Sequence, residues 1–244
     1  LSELLLWQGE IADANRRVKN AHNDAKELGY ALGMASSLRL RGELELETGQ
    51  VDRAEKTLRE AIELSTSLNL VADMISGRFA LARLYSEKED PVETEAQVSV
   101  ARVLASKRDP EQFAPALVAL HGWSCAMTGD AADARRMFSN AERSVTKAPL
   151  PRRCQVLITC AKGFRVLGVA REAQRLATLA ATMASTNGFR LRNLEARHML
   201  STIQEDPAAA QAYHSESQGI ARTFMEELEP DQAAAFRKKY ADLL

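Results

Sequence analysis

The sequence predicts an all-α chain built as an array of stacked antiparallel helix pairs. Three observations carry this. Turn residues recur at a fixed step, two small residues recur at fixed offsets from each turn, and the segments between turns are apolar at helical rather than strand spacing. The turn residues are Gly9-Glu10, Gly49-Gln50, Glu89-Asp90, Gly129-Asp130 and Gly168-Val169, at successive steps of 40, 40, 40 and 39 residues. Five positions after each first residue stand Ala14, Ala54, Thr94, Ala134 and Ala173. Twelve positions after it stand Ala21, Ala61, Ala101, Ala141 and Ala180. Between them lie Val18, Leu58, Val98, Phe138 and Ala177. A fixed period in this range marks a repeat array in which each unit buries its apolar face against its neighbours.

The first helix of each pair is read from the apolar residues before the turn. Leu38, Leu40, Leu44 and Leu46 precede Gly49; Phe79, Leu81, Leu84 and Tyr85 precede Glu89; Leu117, Leu120 and Met127 precede Gly129. The second helix follows the turn, most clearly in Val51, Ala54, Leu58, Ala61, Ile62 and Leu64, which are spaced for one helix face. The turn glycine suits the left-handed conformation that ends a helix. Asp52 and Asp130 are expected to favour the start of the next one by capping or through the helix dipole. Small residues at the two Ala positions let antiparallel helices approach closely, and the bulkier residue between them fills the groove. After Asn187-Gly188 the register weakens. A sixth pair is drawn from Leu191 to Ile203 and from Ala208 to about Leu228, with a break at Glu205-Asp206-Pro207. A last helix, capped by Asp231, runs from Gln232 to about Leu243 and covers the end of the array. The division is thus residues 1–188 for the repeats and 189–244 for the sixth pair and cap.

Composition agrees with a soluble chain and excludes several classes. Of 244 residues, 45% are hydrophobic and 27% charged, and the net charge is −1. A near-neutral chain has no global field for nucleic acid or an anionic membrane. No apolar run approaches the roughly 18 residues of a membrane span, and no secretory signal opens the chain. Three cysteines, Cys125, Cys154 and Cys160, are too few and too scattered for a disulfide scaffold or a zinc site, so they read as plain buried thiols in a reducing, cytoplasmic setting. The chain opens at Leu1 rather than Met and is read as a fragment of a longer protein, its end as the parent's own C-terminus.

Several of these residues resemble the tetratricopeptide repeat family. Leu81-Ala82 with Tyr85, Gly122 with Gly129-Asp130-Ala134-Phe138-Ala141, Gly42 with Gly49-Ala54-Leu58-Ala61, and Ala161, Phe164, Gly168, Ala173 and Ala180 match its motif. Glu45 stands where the family has an aromatic residue, and the first repeat is truncated at its front. The likeness covers about residues 1–188. It implies a right-handed superhelical solenoid whose first helices line a concave groove. The step of 40 exceeds the family's basic 34, which resembles the long-helix arrays of bacterial multidomain signalling proteins and transcription regulators and of eukaryotic cell-polarity adaptors. The Pro that usually closes each repeat is mostly missing.

No P-loop, dinucleotide-binding glycine pattern, His-Glu-x-x-His or Gly-x-Ser-x-Gly is present, so the sequence predicts no enzyme, cofactor or metal. The four histidines are dispersed, and His121 reads as a packed or half-buried residue rather than a ligand. Glu43, Glu45 and Glu47 alternate and therefore fan around a helix, which reads as a solvated surface. The resemblance places Arg39, Glu43, Phe79, Arg83, Ala119, Trp123, Ile158 and Lys162 on the concave face, with Arg165 beside them. That set suits a protein or peptide segment carrying a carboxylate, with Phe79 and Trp123 as apolar anchors, or, equally, with both rings in the core. Three readings stand: an adaptor that holds a peptide or protein segment in the groove, a regulatory domain that senses a small molecule or signal peptide, and a module that self-associates as a homodimer through its truncated first repeat.

Overall fold

The computed structural model describes residues 2–108 and 110–244, and the side chains of residues 107–111 are left aside. Among the described residues the fold is all-α, with thirteen helices and no strand. They are α1 (Ser2–Gln8), α2 (Ile11–Glu27), α3 (Ala31–Glu47), α4 (Val51–Ser67), α5 (Val71–Glu87), α6 (Pro91–Arg108), α7 (Pro110–Met127), α8 (Ala131–Ser144), α9 (Leu150–Val166), α10 (Ala170–Thr186), α11 (Arg190–Ile203), α12 (Pro207–Glu227) and α13 (Pro230–Lys239). Consecutive helices pack on one another from α1 to α12, most lightly at α8 and α9, whose joint also carries a short 3-10 turn at Val145–Lys147. No described helix is long and apolar enough to cross a membrane.

One device ends nearly every helix. At the α3–α4 joint the Gly49 N–H donates to the Leu46 carbonyl at 3.1 Å and the Gln50 N–H to the Glu45 carbonyl at 2.8 Å. This is the Schellman pattern, which needs a left-handed residue at the turn, and Gly49 supplies it with φ +82°. The same pair of bonds recurs at Gly9, Gly29, Asn69, Glu89, Gly129, Gly168 and Gly188, all with positive φ. Among the described residues the motif marks the turn inside each of the first five pairs and three of the turns between pairs, at Gly29, Asn69 and Gly188. In the α3–α4 pair two 17-residue helices and two three-residue turns make up the step of 40, which is why the period is long. Asp130 caps α8 by accepting from the Asp133 N–H, whereas Asp52 sits inside the first turn of α4 and Gln50 holds the cap position. The last helix begins earlier than expected. Pro230 occupies its first position, where a missing N–H costs nothing, and Glu229 rather than Asp231 precedes it as the cap.

The recurrent small residues mark close crossings. Ala14, Ala54, Ala134 and Ala173 are fully buried, as are Ala101, Ala141 and Ala180. Gly42 faces Leu58, Gly77 faces Ile62, and both Gly122 and Gly163 face the Phe138 ring. Ala21 is the exception and lies exposed, because α1 has only 7 residues and does not extend over it.

The first helices of the six pairs, α1, α3, α5, α7, α9 and α11, touch in order, and α11 packs back on α1. The array therefore closes on itself. One apolar cluster contains Leu6 of α1, Ile11, Ala14 and Val18 of α2, Leu44 of α3, Leu191 and Leu194 of α11, Phe224 of α12 and Phe236 of α13, so both ends of the chain share a core. Arg190 seals the joint. It pairs with Glu227 at 2.8 Å, reaches the Gly9 carbonyl at 3.5 Å and covers the Phe224 ring at 4.5 Å. Helix α13 does not simply extend the array. Its Lys239 crosses to the Leu46 carbonyl of α3 and to Glu87 of α5.

Two glycine substitutions test this packing in opposite senses. A Cβ at Gly163 would stand 2.0 Å from Phe138 Cζ, and the Phe138 ring is buried and has nowhere to move. Gly163→Ala is expected to cost about 1–3 kcal/mol by overpacking. Gly219, inside α12, has nothing within 4 Å, and Gly219→Ala is expected to stabilise by roughly 0.5–1 kcal/mol. Urea unfolding followed by circular dichroism reads both.

Candidate functional site

Ring closure turns the first helices inward and makes their polar residues partners of one another. Arg39 on α3 is buried, donates from Nε to Asp73 Oδ1 at 2.9 Å and pairs with Glu43 on its own helix. Burial alone would lower its pKa, but Glu43, Glu3 and Asp73 outweigh it and hold the guanidinium above its ordinary value. Phe79 lies in the core, 5.7 Å edge-to-face from Phe113. Above both rings sits Arg152, with its guanidinium 3.7 Å from the Phe113 centroid and 5.2 Å from that of Phe79. Among the described residues its Nε and Nη1 have no hydrogen-bond partner, and burial pushes its pKa down to about 10. Cation–π contact and the charges of Glu43 and Glu3 compensate this buried charge.

Glu47 is the centre of a second cluster. Its carboxylate accepts from Arg83 Nη2 at 2.9 Å and is paired directly with Arg192, which also binds Glu195. Burial would raise the Glu47 pKa, yet Arg192, Arg83 and Lys239 overcome that and hold it far below the usual carboxylate range. Burial also works against ionisation of Glu195, and Arg192 again wins, lowering that pKa. The expected solvated face of Glu43, Glu45 and Glu47 is therefore corrected. Glu45 and Glu47 are 4% and 3% exposed and Glu43 is half-buried. Alternation does fan them around α3, but α2, α4, α5 and α1 enclose that helix and Arg192 reaches Glu47 from α11.

What stays open at the axis is a cavity of about 290 Å³ at the turn end of the inner helices. Trp123 of α7, Lys162 and Arg165 of α9, Glu195 and His198 of α11, and Tyr240 beyond α13 line it. A narrow extension leads toward Arg83, Gln155 and Arg192. Of the nine residues assigned to the inner face, Trp123, Lys162 and Arg165 meet at this cavity, Ile158 lines a narrow extension of it, and Ala119 lies in the core. Arg83 borders its extension, and Arg39, Glu43 and Phe79 do not line it. Among the described residues neither the Lys162 ammonium nor the Arg165 guanidinium makes a hydrogen bond or ion pair. Lys239 does, holding Glu87 at 3.0 Å. His198 stacks edge-to-face on Tyr240 at 5.9 Å and reaches Asp242 through Nε2 at 3.4 Å, while its buried Nδ1 has no partner. Burial lowers the His198 pKa; Asp242 opposes this, and His214, Lys162 and Arg165 add to it.

The cavity thus presents two cations and the Glu89 carboxylate, none with a direct partner among the described residues, together with the His198 imidazole and an apolar wall of Trp123, Met127 and Met199. That is the chemistry of a site for a compact anion with an apolar body. Sequence reasoning passed over Arg152, Arg192, His198 and Lys239, because nothing in a repeat pattern tells which polar residues of distant repeats will meet. No protein-family model matches the chain, and no curated protein matches it.

Glu47 makes stability depend on acid in a defined sense. Its pKa is depressed on folding, so its contribution is fully present above the unfolded carboxylate pKa of about 4.3 and is lost as pH falls toward the lower folded value. Glu47→Gln is expected to cost about 3–5 kcal/mol at neutral pH, since it leaves Arg83 and Arg192 without their anion. The difference in melting temperature between wild type and variant should narrow as pH falls from 5 to about 2. A constant difference across that range would place the acid sensitivity elsewhere.

Proposed function

We propose that this chain is a non-catalytic regulatory module, a tetratricopeptide-type right-handed solenoid closed into a ring, which binds a compact carboxylate-bearing ligand in its axial cavity and controls an attached effector. One observation carries this reading: Lys162 and Arg165, two cations with no direct partner among the described residues, converge with the buried Trp123 on a cavity of about 290 Å³. The adaptor reading, with an extended segment running along the inner face, has less support. The pairs Arg39–Asp73 and Arg83–Glu47, the link of Glu47 to Arg192, and Phe79 under Arg152 already fill most of that face. A small apolar acid and the last residue of a peptide offer the same chemistry, a carboxylate for the cations and a nonpolar body for Trp123, Met127 and Met199.

Arylacetic acids and tetrapeptides ending in Phe, each beside its amide, separate these sources by calorimetric titration. Binding of an acid but not its amide supports the carboxylate site, and whichever series binds more tightly names the source. Lys162→Gln with Arg165→Gln should weaken that binding at least about tenfold, which is about 1.4 kcal/mol, with the melting temperature little changed. An anion arriving beside His198 should also raise its pKa, visible as a shifted imidazole titration by NMR. Equal binding of acid and amide, or full binding by the double variant, would overturn the proposal. Arg83 is unsuitable for this test, because it is held in a buried pair.

A further inference from the structure

A second constellation lies outside the axis, where α6 meets α7. His121 and Cys125 stand one turn apart on α7, with Cys125 Sγ 4.0 Å from His121 Nε2. On the other side of the ring, His121 Nδ1 is 2.6 Å from Glu95 Oε2 of α6. A carboxylate accepts only, so Nδ1 carries the hydrogen and, in the neutral ring, the Nε2 lone pair faces the sulfur. A cleft of about 410 Å³ opens over the three residues, walled by Pro91, Val92 and Ala96. The His121 side chain is 25% exposed, so a small cation reaches it from solvent. Cys154 and Cys160 are fully buried and do not compete. Burial, and then Asp130, Glu95 and Asp133, raise the Cys125 pKa, which makes the thiol a poor nucleophile at neutral pH. Those same carboxylates make the neighbourhood favourable to positive charge.

The geometry points to a binding site for a thiophilic d10 cation of the Cu(I) class, held between Cys125 Sγ and His121 Nε2, with Glu95 orienting the imidazole. Metal-ligating histidines typically give their other ring N–H to a carboxylate, and that partner is already in place here. Residues four apart project from one face of a helix. With bond lengths near those of zinc, about 2.3 Å to sulfur and about 2.0 Å to nitrogen, one ion spans the 4.0 Å gap at a wide angle. Among the described residues no set of three or more His, Cys, Asp or Glu side chains could hold a metal ion. Zinc, which takes four ligands, would lack two from the protein. A soft univalent ion suits sulfur and imidazole and accepts two ligands. Binding would release the thiol proton to solvent, with no change of oxidation state.

The test supplies Cu(I) anaerobically from a chromophoric Cu(I) chelator and follows loss of the chelate colour. Wild type should withdraw one equivalent. Cys125→Ser and His121→Asn should each withdraw none, and Glu95→Gln should bind about 10–100-fold more weakly. Melting curves confirm that each variant is folded. Failure of wild type to compete, retention by Cys125→Ser or His121→Asn, or displacement of Cu(I) by equimolar Zn(II) would each overturn the assignment.

Discussion

The buried Glu47 carboxylate is the contact on which the closed form depends. Its cationic neighbours come from three different helices: Arg83 from α5, Arg192 from α11 and Lys239 from α13. A buried charge without partners is costly enough that it would be neutralised or expelled. Glu47 therefore fixes the inner faces of the second, third and sixth pairs relative to one another. Apolar packing alone would not choose this register so narrowly, since Leu and Ala surfaces tolerate sliding while a carboxylate between two guanidinium groups does not. The shared core of both chain ends supplies the affinity of closure, and Glu47 supplies its geometry.

Closure also sets the character of the axial cavity. Most inner-face charges cancel in pairs, so the few that remain unpaired stand out chemically. Glu195 feels the Lys162 charge but is already committed to Arg192, which leaves Lys162 without a direct partner among the described residues. Helix α13 completes the arrangement by carrying Lys239 to Glu87 and by setting Tyr240 against His198. The cavity wall is thus drawn from α5, α7, α9, α11, α13 and the segment after it, and no single repeat contains it.

The local architecture was legible in the sequence, and the global arrangement was not. The five turn pairs and the small-residue columns report contacts between helices adjacent in the chain, where Schellman turns and close crossings demand particular residue types. Gly129 with Phe138 and Ala141 is such a case. The meeting of Gly9 with Arg190 and Phe224, or of Gly49 with Ala235, leaves no periodic trace, because it happens once. The same reason explains the misreading of Glu45 and Glu47. A residue's face on its helix can be read from spacing, but whether the Glu47 face meets water depends on Arg83 and Arg192, 36 and 145 positions away.

In an open repeat array each unit contacts only its neighbours, and stability approximates a sum of local terms that can fray from either end. Contact between the first and sixth pairs changes that physics. Loosening any one crossing must either open the α1–α11 joint or strain the Glu47 cluster, so the pairs lose or keep their order together. A ligand that bridged Lys162 and Arg165 of α9 to His198 of α11 would act on this shared geometry rather than on one repeat. It would draw together two inner helices that already touch, and the effect would pass through Arg192 and Glu47 to α3 and through Tyr240 to α13. Binding energy at the cavity would then bear on the docking of the terminal helix as well as on α9 and α11.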